Sequence, residues 1–301
     1  MKNQFDVIIV GGGPAGLNAA VVLGRCRRRV LIFDTGKGRN IRSHGVHNYL
    51  TRDDILPGDF RKLARNELKK YGVMTSDLEI ISAKKVSKDS FEVKDEKGIK
   101  YRSTKLLIAT GLRDNLPAVE GMGNFFGTSV FHCPYCDGWE VKDRKLGVYA
   151  RNKNGAPLAI SLRTWSKEIT LYCDGRNYLK EQEKKLLARL GVKVNTQRIA
   201  CLEGTKGQVR RIVFSNNNTN DCDALFFVNG YHQQAALLTK LGCSMSSKGV
   251  AVTNRHQQTN IAGLYVAGDV AKDMHFVVVA AAEGAKAAVS INKELQKENI
   301  F

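Results

Sequence analysis

The chain has 301 residues, of which 43% are hydrophobic and 25% charged, a composition typical of a globular protein. Its length suggests about two domains of ordinary size. No apolar run approaches the ~20 residues that a membrane-spanning helix needs. The first residues also lack the basic region, apolar stretch and cleavage site of a secretory signal. We therefore expect a cytoplasmic protein with no membrane partner.

The net charge of +18 is large and favours an acidic partner through long-range attraction. One interpretation is a docking face for an acidic electron-transfer protein, and the other is an ordinary solvated basic surface. The basic residues are spread along the chain without a nucleic-acid-binding motif, so we expect no nucleic-acid partner. The seven cysteines are an odd number and do not form the disulfide framework of a secreted protein.

The N-terminal segment predicts a strand, a tight turn, a helix and a second strand. Val7–Val10 is a continuous apolar run of the kind found in buried parallel strands, and Leu17–Leu23 is a helical segment. Asp34 follows the second strand, where a carboxylate can accept hydrogen bonds from a ribose. The turn has the spacing of a dinucleotide-binding fingerprint, formed by Gly11, Gly13, Pro14, Ala15 and Gly16. These residues and Asp34 are predicted to bind a dinucleotide cofactor.

Later segments of the chain have similar features. Residues 37–60 are irregular and contain Asn48, a candidate ligand for the reactive end of the cofactor. Two predicted strands end in small residues that permit close approach of the backbone to a cofactor, namely Ala109, Thr110 and Gly111 after the first, and Gly268 after the second. Asp269 precedes a long Ala-rich helix, predicted over Phe276–Gln296, and suits the ribityl and phosphate part of a flavin.

Near the middle of the chain, Cys133 and Cys136 are followed directly by Asp137. Two cysteines three residues apart at the start of a helix can face one partner, and the helix dipole there favours a thiolate. Such a pair can be a redox-active disulfide, half of a zinc site or two buried cysteines. No second Cys or His pair stands at zinc-finger spacing, so we expect no metal site and favour redox exchange.

The residues after the cysteine pair predict a second strand–helix–strand unit. Leu146–Tyr149 and Ile169–Tyr172 are the predicted strands, and Pro157–Trp165 is the predicted helix. Pro117 and the glycines near residue 121 indicate a linker before this unit. Unlike the first unit, the second one has no glycine-rich turn.

Taken in order, these motifs resemble those of the low-molecular-weight thioredoxin reductases, a family of FAD-dependent disulfide oxidoreductases. The segments that carry the resemblance are Gly11–Gly16, Ala109–Gly111, Cys133–Gly138 and Gly268–Asp269. Within this group, two segments are more similar to the branch of gliotoxin- and holomycin-type dithiol oxidases, namely His47–Asp53 and Cys133–Glu140.

The resemblance implies an α/β fold with two dinucleotide-binding (Rossmann-like) domains. The FAD domain would be discontinuous, formed by residues 1–115 and 247–301. An NADPH-type domain carrying the cysteine pair would be inserted as residues 116–246. The resemblance also favours a homodimer and either a thioredoxin-like protein or a small dithiol or disulfide as substrate.

The resemblance further implies roles at the cysteine pair. Cys136 would be the sulfur nearer the flavin, and Cys133 would attack the substrate after the inserted domain rotates. Asp137 is the candidate acid/base for the leaving thiol. A second interpretation of Asp137 is a residue that the dipole at the helix start favours, and the two are compatible.

The sequence departs from the family where NADPH would bind. The family has a glycine-rich turn in the inserted domain and an arginine pair after the next strand. Here the turn contains Arg151 and Lys153 without a Gly-x-Gly, and Asp174 stands where the 2′-phosphate would be. Asp174 would repel that phosphate. We therefore expect FAD as the cofactor and no ordinary use of NADPH.

Three hypotheses follow from these observations. The first is a thioredoxin reductase-like enzyme whose electrons come from another donor, such as an acidic ferredoxin. The second is a dithiol oxidase that passes electrons from a small or protein dithiol through FAD to oxygen. The third is a non-catalytic flavin protein whose cysteine pair senses redox state.

Overall fold

The computed structural model of the chain describes residues 3–247, 249–271 and 274–298. The chain folds into two compact units. Unit 1 contains Met1–Ile41, Asn48–Arg113 and His232–Phe301, and unit 2 contains Arg42–His47 and Asp114–Tyr231. The domain boundaries expected from the sequence, at residues 116 and 246, differ from the limits of these two units and stay a prediction.

The described residues form eight helices and seventeen strands. The helices are α1 (Pro14–Arg25), α2 (Pro57–Lys69), α3 (Met122–Phe125), α4 (Pro134–Asp137), α5 (Gly155–Leu162), α6 (Glu181–Arg189), α7 (Ala236–Leu241) and α8 (Val277–Glu298). The first nine strands are β1 (Gln4–Val10), β2 (Val30–Phe33), β3 (Met74–Ser76), β4 (Ile80–Ser87), β5 (Ser90–Asp95), β6 (Lys100–Ile108), β7 (Leu112–Asp114), β8 (Val130–Phe131) and β9 (Leu146–Ala150). The others are β10 (Ile169–Tyr172), β11 (Lys193–Asn195), β12 (Ile199–Thr205), β13 (Gln208–Phe214), β14 (Thr219–Asp221), β15 (Ala224–Val228), β16 (Tyr231–Gln233) and β17 (Leu264–Val266).

Unit 1 is built on a seven-stranded sheet in the order β3-β2-β1-β6-β5-β4, with β17 also paired to β6. Strands β1, β2, β3, β6 and β17 are parallel, whereas β4, β5 and β6 form an antiparallel meander. The apolar side chains of β1 alternate between two cores, so that Val7 and Ile9 enter one and Ile8 and Val10 the other. Burial on both faces explains the continuous apolar run of this strand.

Helices α1 and α8 cover one face of this sheet. The two helices approach closely because Gly284 has no side chain. A Cβ atom there would lie 2.0 Å from the carbonyl oxygen of Ala15, so only glycine fits. Helix α8 also supplies Ala287, Ala288 and Ile291 to the core. Among the described residues, no helix combines the length and apolar character needed to cross a bilayer.

Unit 2 contains a five-stranded parallel sheet in the order β11-β10-β9-β15-β8 and a three-stranded antiparallel sheet, β12-β13-β14. Helices α5 and α6 pack with the parallel sheet around one apolar core. A second core lies between the two sheets of this unit and includes Tyr149, Tyr172 and Phe214. This is the strand–helix–strand arrangement of a dinucleotide-binding domain.

The predicted α/β class with two Rossmann-like domains is confirmed. The ends of individual helices differ from the predicted ends by a few residues. The helix predicted over Pro157–Trp165 is Gly155–Leu162, and that predicted over Phe276–Gln296 is Val277–Glu298. The antiparallel strand β12 was not predicted, because its sequence does not alternate between apolar and polar residues and no glycine or proline turn precedes it.

Lys105 ties the end of α8 to strand β6. Its side chain is 4% exposed, and its ammonium group lies 3.1 Å from a carboxylate oxygen of Glu294 and forms a second ion pair with Glu298. A buried ammonium group is stable only when it is paired in this way. The pairing therefore fixes the C-terminal turns of α8 against the sheet.

We expect Lys105→Met to lower the free energy of unfolding by about 1–3 kcal/mol, because both carboxylates lose their charged partner while the apolar stem is kept. The measurement is the thermal midpoint of unfolding of the FAD-loaded protein. Lys88→Met is the matched control, since Lys88 is exposed and makes no ion pair with described residues. Equal midpoints for both variants would contradict a stabilising role for Lys105.

Candidate redox-active site

The glycine-rich turn after β1 depends on contacts between backbone atoms. Gly11 has a φ of +110°, and a Cβ atom there would lie 2.2 Å from the carbonyl oxygen of Ala109. A Cβ atom on Gly16 would lie 1.9 Å from the carbonyl oxygen of Gly11. Both positions therefore require glycine, and together they hold the start of α1 against β1 and the end of β6.

The N-terminus of α1 is open on its outer side. Gly13 is the N-cap residue, Pro14 occupies the first turn, and no side chain caps the helix. A Cβ atom on Gly13 would meet nothing within 4 Å, whereas Ala15 is buried. Free backbone N–H groups at a helix start, next to a residue without a side chain, form a site for a pyrophosphate.

Asp34 lies at the end of β2, beside the glycine-rich turn, and is 9% exposed. Its carboxylate accepts a hydrogen bond from the Gly36 N–H at 3.2 Å and forms an ion pair with Arg61. The guanidinium of Arg61 also donates to the Gly36 carbonyl oxygen at 2.7 Å. Arg61, which the sequence did not single out, therefore orients the predicted ribose ligand.

The segment after β6 is fixed by Gln234. The Thr110 hydroxyl donates to the Gln234 carbonyl oxygen at 2.7 Å, and the Gln234 side-chain amide donates to the Thr110 carbonyl oxygen at 3.0 Å. Gly111 has a φ of +68° and accepts a hydrogen bond from the Gln234 N–H. Ala109 is buried beneath Gly11. These bonds keep the predicted cofactor segment in one conformation.

Gly268 and Asp269 form a tight turn after β17. Gly268 has a φ of +82°, and its N–H donates to the carboxylate of the buried Glu283 at 2.8 Å. A guanidinium nitrogen of Arg39 lies 3.8 Å from the Asp269 carboxylate. Arg39 therefore places a positive charge beside this turn, where it can neutralise part of a phosphate.

Gln233 reaches the same turn from the other side. Its side-chain amide donates to the Asp269 carbonyl oxygen at 3.2 Å, while its Oε1 atom is buried without a hydrogen-bond partner among the described residues. A buried acceptor without a donor is costly, and a bound hydroxyl or amide would satisfy it. The open glycine turn, Asp269 and this oxygen fit the pyrophosphate and ribityl parts of FAD.

Asn48 has the left-handed backbone conformation, with a φ of +62°, and is exposed. Its N–H donates to the Asp53 carboxylate at 2.9 Å. This bond orders the irregular loop that precedes α2. The cofactor contact expected for Asn48, like those of the other predicted ligands, stays a prediction.

Cys133 and Cys136 form a disulfide in unit 2, with their Cα atoms 5.3 Å apart. Cys133 is the N-cap residue of α4, and its carbonyl oxygen accepts from the N–H groups of Cys136 and Asp137 at 3.2 Å each. The helix is thus one turn long and includes the disulfide ring. No cluster of three or more possible metal ligands occurs in the described part of the chain.

Aromatic side chains surround this turn. Tyr135 is 64% exposed and packs edge-on against Trp165, with ring centroids 5.6 Å apart. A Cβ atom on Gly138 would lie 2.7 Å from the Trp165 ring, so glycine is required after Asp137. Trp139 is 66% exposed and lies under the ammonium group of Lys142, 3.3 Å from the ring centroid. The disulfide therefore lies on a surface with exposed aromatic rings.

The carboxyl group of Asp137 is largely buried. Burial, and to a lesser extent the charge of Glu140, raise its pKa to about 7. Asp137 and Glu140 line a cavity of about 190 Å³ within unit 2. The other lining residues are Ser43, His44, Gly45, His47, Gly127, Thr128, Phe131, Val141, Arg144 and Gln208. Near neutral pH, Asp137 can therefore both give and accept a proton, as the predicted acid/base role requires.

Two histidine–carboxylate contacts lie in the same unit. Nε2 of His47 is 3.6 Å from a carboxylate oxygen of Glu140, and Nδ1 of His132 is 3.7 Å from the Asp114 carboxylate. In the sequence, His47 stood out only as part of a motif, and neither pairing could be identified. His132 adjoins Cys133, whereas His47 and Glu140 line the cavity.

The region where the family binds NADPH has its own internal bonds. The Asp174 carboxylate accepts from the Tyr149 hydroxyl and the Ile199 N–H, both at 2.9 Å. Arg151 Nε lies 3.7 Å from the same carboxylate. Burial and the bond to Asp174 raise the pKa of Tyr149 to about 12, which keeps its hydroxyl a donor. Asp174 thus joins the turn after β9 to the start of β12.

Comparison with known proteins extends these observations. A family model described as pyridine nucleotide-disulphide oxidoreductase matches residues 5–284. Thioredoxin reductase tcpT of Claviceps purpurea (strain 20.1) is 31% identical over 279 residues, which cover 89% of this chain and 87% of that protein.

Solved structures give the same result. A putative thioredoxin reductase TrxB from Bacillus anthracis has a TM-score of 0.94 at 30% identity, with 98% of this chain and 99% of that chain covered. The structure of HlmI has a TM-score of 0.94 at 31% identity, covering 99% and 94%. The resemblance inferred from the motifs is confirmed. The chain belongs to the pyridine nucleotide-disulphide oxidoreductase family, as a thioredoxin reductase-like enzyme.

Proposed function

We propose that the protein moves electrons between FAD and the Cys133–Cys136 disulfide, as a dithiol/disulfide oxidoreductase that does not use NADPH in the usual way. The observation that carries the proposal is the disulfide turn, followed by a carboxyl group that can exchange protons near neutral pH. A bound FAD would supply or accept the two electrons that interconvert disulfide and dithiol.

Residues of unit 1 would hold the cofactor. The N–H groups at the start of α1 would bind the pyrophosphate, with Gly11, Gly13 and Gly16 keeping side chains away from it. Asp34 would accept hydrogen bonds from the ribose, and Asp269 from the ribityl chain. Arg39 would offset the negative charge of the phosphates.

The exposed rings of Tyr135 and Trp139 support a substrate with apolar or aromatic groups beside its sulfur atoms. A thioredoxin-like protein and a small dithiol or disulfide both meet this description. We further propose a cytoplasmic homodimer, which rests on the family resemblance alone.

The bonds of Asp174 support the loss of ordinary NADPH use. The carboxylate is held by Tyr149, Ile199 and Arg151, so a 2′-phosphate there would meet a fixed negative charge. The turn before α5 has side chains at every position from Arg151 to Asn154, so the backbone cannot approach a pyrophosphate as a Gly-x-Gly turn does.

Two directions of electron flow are then open. With a net charge of +18, an acidic protein such as a ferredoxin is a suitable donor for a reductase. The second candidate is a dithiol oxidase that delivers electrons to oxygen, and the motif similarity to the dithiol oxidase branch favours it, together with the structural similarity to HlmI. A purely redox-sensing role leaves the acid/base properties of Asp137 without a use.

Anaerobic reduction of the purified FAD-loaded protein distinguishes these functions. We expect a dithiol or reduced ferredoxin to bleach the flavin absorbance and NADPH or NADH to leave it unchanged. The turn from Arg151 to Asn154 keeps the pyrophosphate of either nucleotide away from the backbone, and Asp174 opposes the 2′-phosphate of NADPH. Hydrogen peroxide formed on readmission of air after dithiol reduction would select the oxidase. Rapid bleaching by NADPH would refute the loss of nucleotide use.

We also expect Cys133→Ser and Cys136→Ser to retain FAD absorbance but to lose disulfide exchange by about a thousandfold or more, since each variant removes a reacting sulfur. The measurement is the rate of electron exchange with a dithiol. Cys26→Ser is the control, because Cys26 is an exposed free cysteine in unit 1. Activity surviving in both variants of the pair would show that the disulfide is not the reacting group.

A further inference from the structure

The cavity in unit 2 lies beside the redox-active turn but away from its sulfur atoms. Asp137 and Glu140 line it, together with Ser43, His44, Gly45 and His47. Neither Cys133 nor Cys136 is among its lining residues. A volume of about 190 Å³ leaves room for several water molecules, and Asp137, Glu140 and His47 supply polar groups to a lining that also contains Phe131 and Val141. The cavity therefore reaches Asp137 by a path that does not cross the disulfide.

The carboxyl group of Asp137 forms no hydrogen bond or ion pair with another described side chain, although it is largely buried. Water in the cavity is then its available partner. Among the other residues that line the cavity, His47 is 12% exposed, Glu140 is 38% exposed, and their nearest side-chain nitrogen and oxygen atoms are 3.6 Å apart. Glu140 thus contacts both bulk water and the cavity, and His47 is its neighbour inside.

We propose that the Glu140–His47 pair passes protons between bulk water and Asp137 through this cavity. The inference rests on the proposed function, because it concerns the protons that accompany electron transfer to the disulfide. In this role, Glu140 and His47 transfer protons to and from Asp137 and do not contact the substrate.

The proton balance shows why such a path is needed. When a dithiol reduces the pair, its thiolate attacks one sulfur, the S–S bond breaks, and the departing sulfur keeps the bonding electrons. That sulfur takes a proton from Asp137. The second substrate thiol then closes the substrate disulfide by displacing the first cysteine, so two electrons and two protons end on Cys133 and Cys136. Asp137 must regain protons from water, which receives those released by the substrate thiols.

The charged groups around the cavity are consistent with this role. His44 and Arg144 also line it, and the guanidinium of Arg144 adds a positive charge to the lining. The negative charge of Glu140 contributes to the raised pKa of Asp137. Loss of that charge would therefore move the titration of Asp137 to lower pH. A role of Glu140 limited to packing would not produce such a shift.

The test measures anaerobic reduction of the FAD-loaded protein by dithiothreitol, counting new thiols on Cys133 and Cys136 together with reduced flavin, because the pair can pass its electrons to FAD. Rates are obtained by alkylating the new thiols at timed intervals between about pH 5.5 and pH 8.5 and are divided by the thiolate concentration. In the wild type, the normalised rate should fall as pH rises through about 7, where Asp137 loses its proton. In Glu140→Gln this fall should move to lower pH, because the neighbouring negative charge is gone.

His47→Ala supplies an independent test. We expect its rate to fall by about tenfold or more and to recover on addition of imidazole, which is small enough for the vacated space. Glu168→Gln, which removes an exposed carboxylate of unit 2 outside the cavity, should behave as the wild type. FAD absorbance and circular dichroism establish that each variant is folded, and His47→Ser, which also leaves space for imidazole, replaces the alanine variant if that one is not.

Failure of the inference and failure of the proposed function give different results. If the wild type exchanges with the dithiol but Glu140→Gln keeps its pH profile and imidazole restores nothing in the His47 variant, the proton path is refuted. A uniform loss of rate at every pH without rescue indicates a structural role and refutes it as well. If the wild type itself does not exchange, the proposed function is wrong.

Discussion

Unit 1 depends on three backbone contacts that leave no room for a side chain. Gly11 lies on the Ala109 carbonyl, Gly16 lies on the Gly11 carbonyl, and Gly284 lies on the Ala15 carbonyl. Together these contacts bring the backbones of β1, β6, α1 and α8 so close that no side chain fits between them. The start of α1 is consequently held between two strands and a helix, and its N–H groups keep a fixed direction. Each contact would be lost with a single added methyl group.

Local patterns were sufficient for the parts of the site that lie within short segments. The glycine spacing, the Cys133–Asp137 segment and the Gly268 turn can be read directly because their chemistry is carried by neighbouring residues. The supporting residues could not be predicted in this way. Thr110 and Gln234 are 124 residues apart, and Arg61 is 27 residues from Asp34. Such pairs exist only after the strands are arranged, and nothing in the local sequence of Gln234 or Arg61 distinguishes them from surface residues.

Unit 2 shows that a dinucleotide-binding topology can carry internal side-chain bonds at its strand ends. Its parallel sheet retains the arrangement of a dinucleotide-binding domain, yet Asp174 and Tyr149 use the corresponding strand ends for internal bonds. The core residues that maintain the sheet are apolar and independent of any ligand. Fold and binding site are therefore separable, and similarity of one does not imply the other. The same unit has a cavity beside its disulfide turn, where Asp137, Glu140 and His47 from distant segments line a common space.

The paired bonds between Thr110 and Gln234 have a consequence for the architecture of the chain. They connect Thr110, which lies just before the chain leaves unit 1 at residue 113, to Gln234, which lies just after the chain re-enters unit 1 at residue 232. The Gln234 N–H also donates to the Gly111 carbonyl oxygen at 3.1 Å. When the two ends of an inserted segment lie this close together, the entropic cost of closing it as a loop of the host domain rises only slowly with the length of the segment. Residues 114–231, the larger part of unit 2, are therefore an insertion between two segments of unit 1 that are hydrogen-bonded to each other. The sequence of this insertion is free to diverge without disturbing the sheet that carries the cofactor segments.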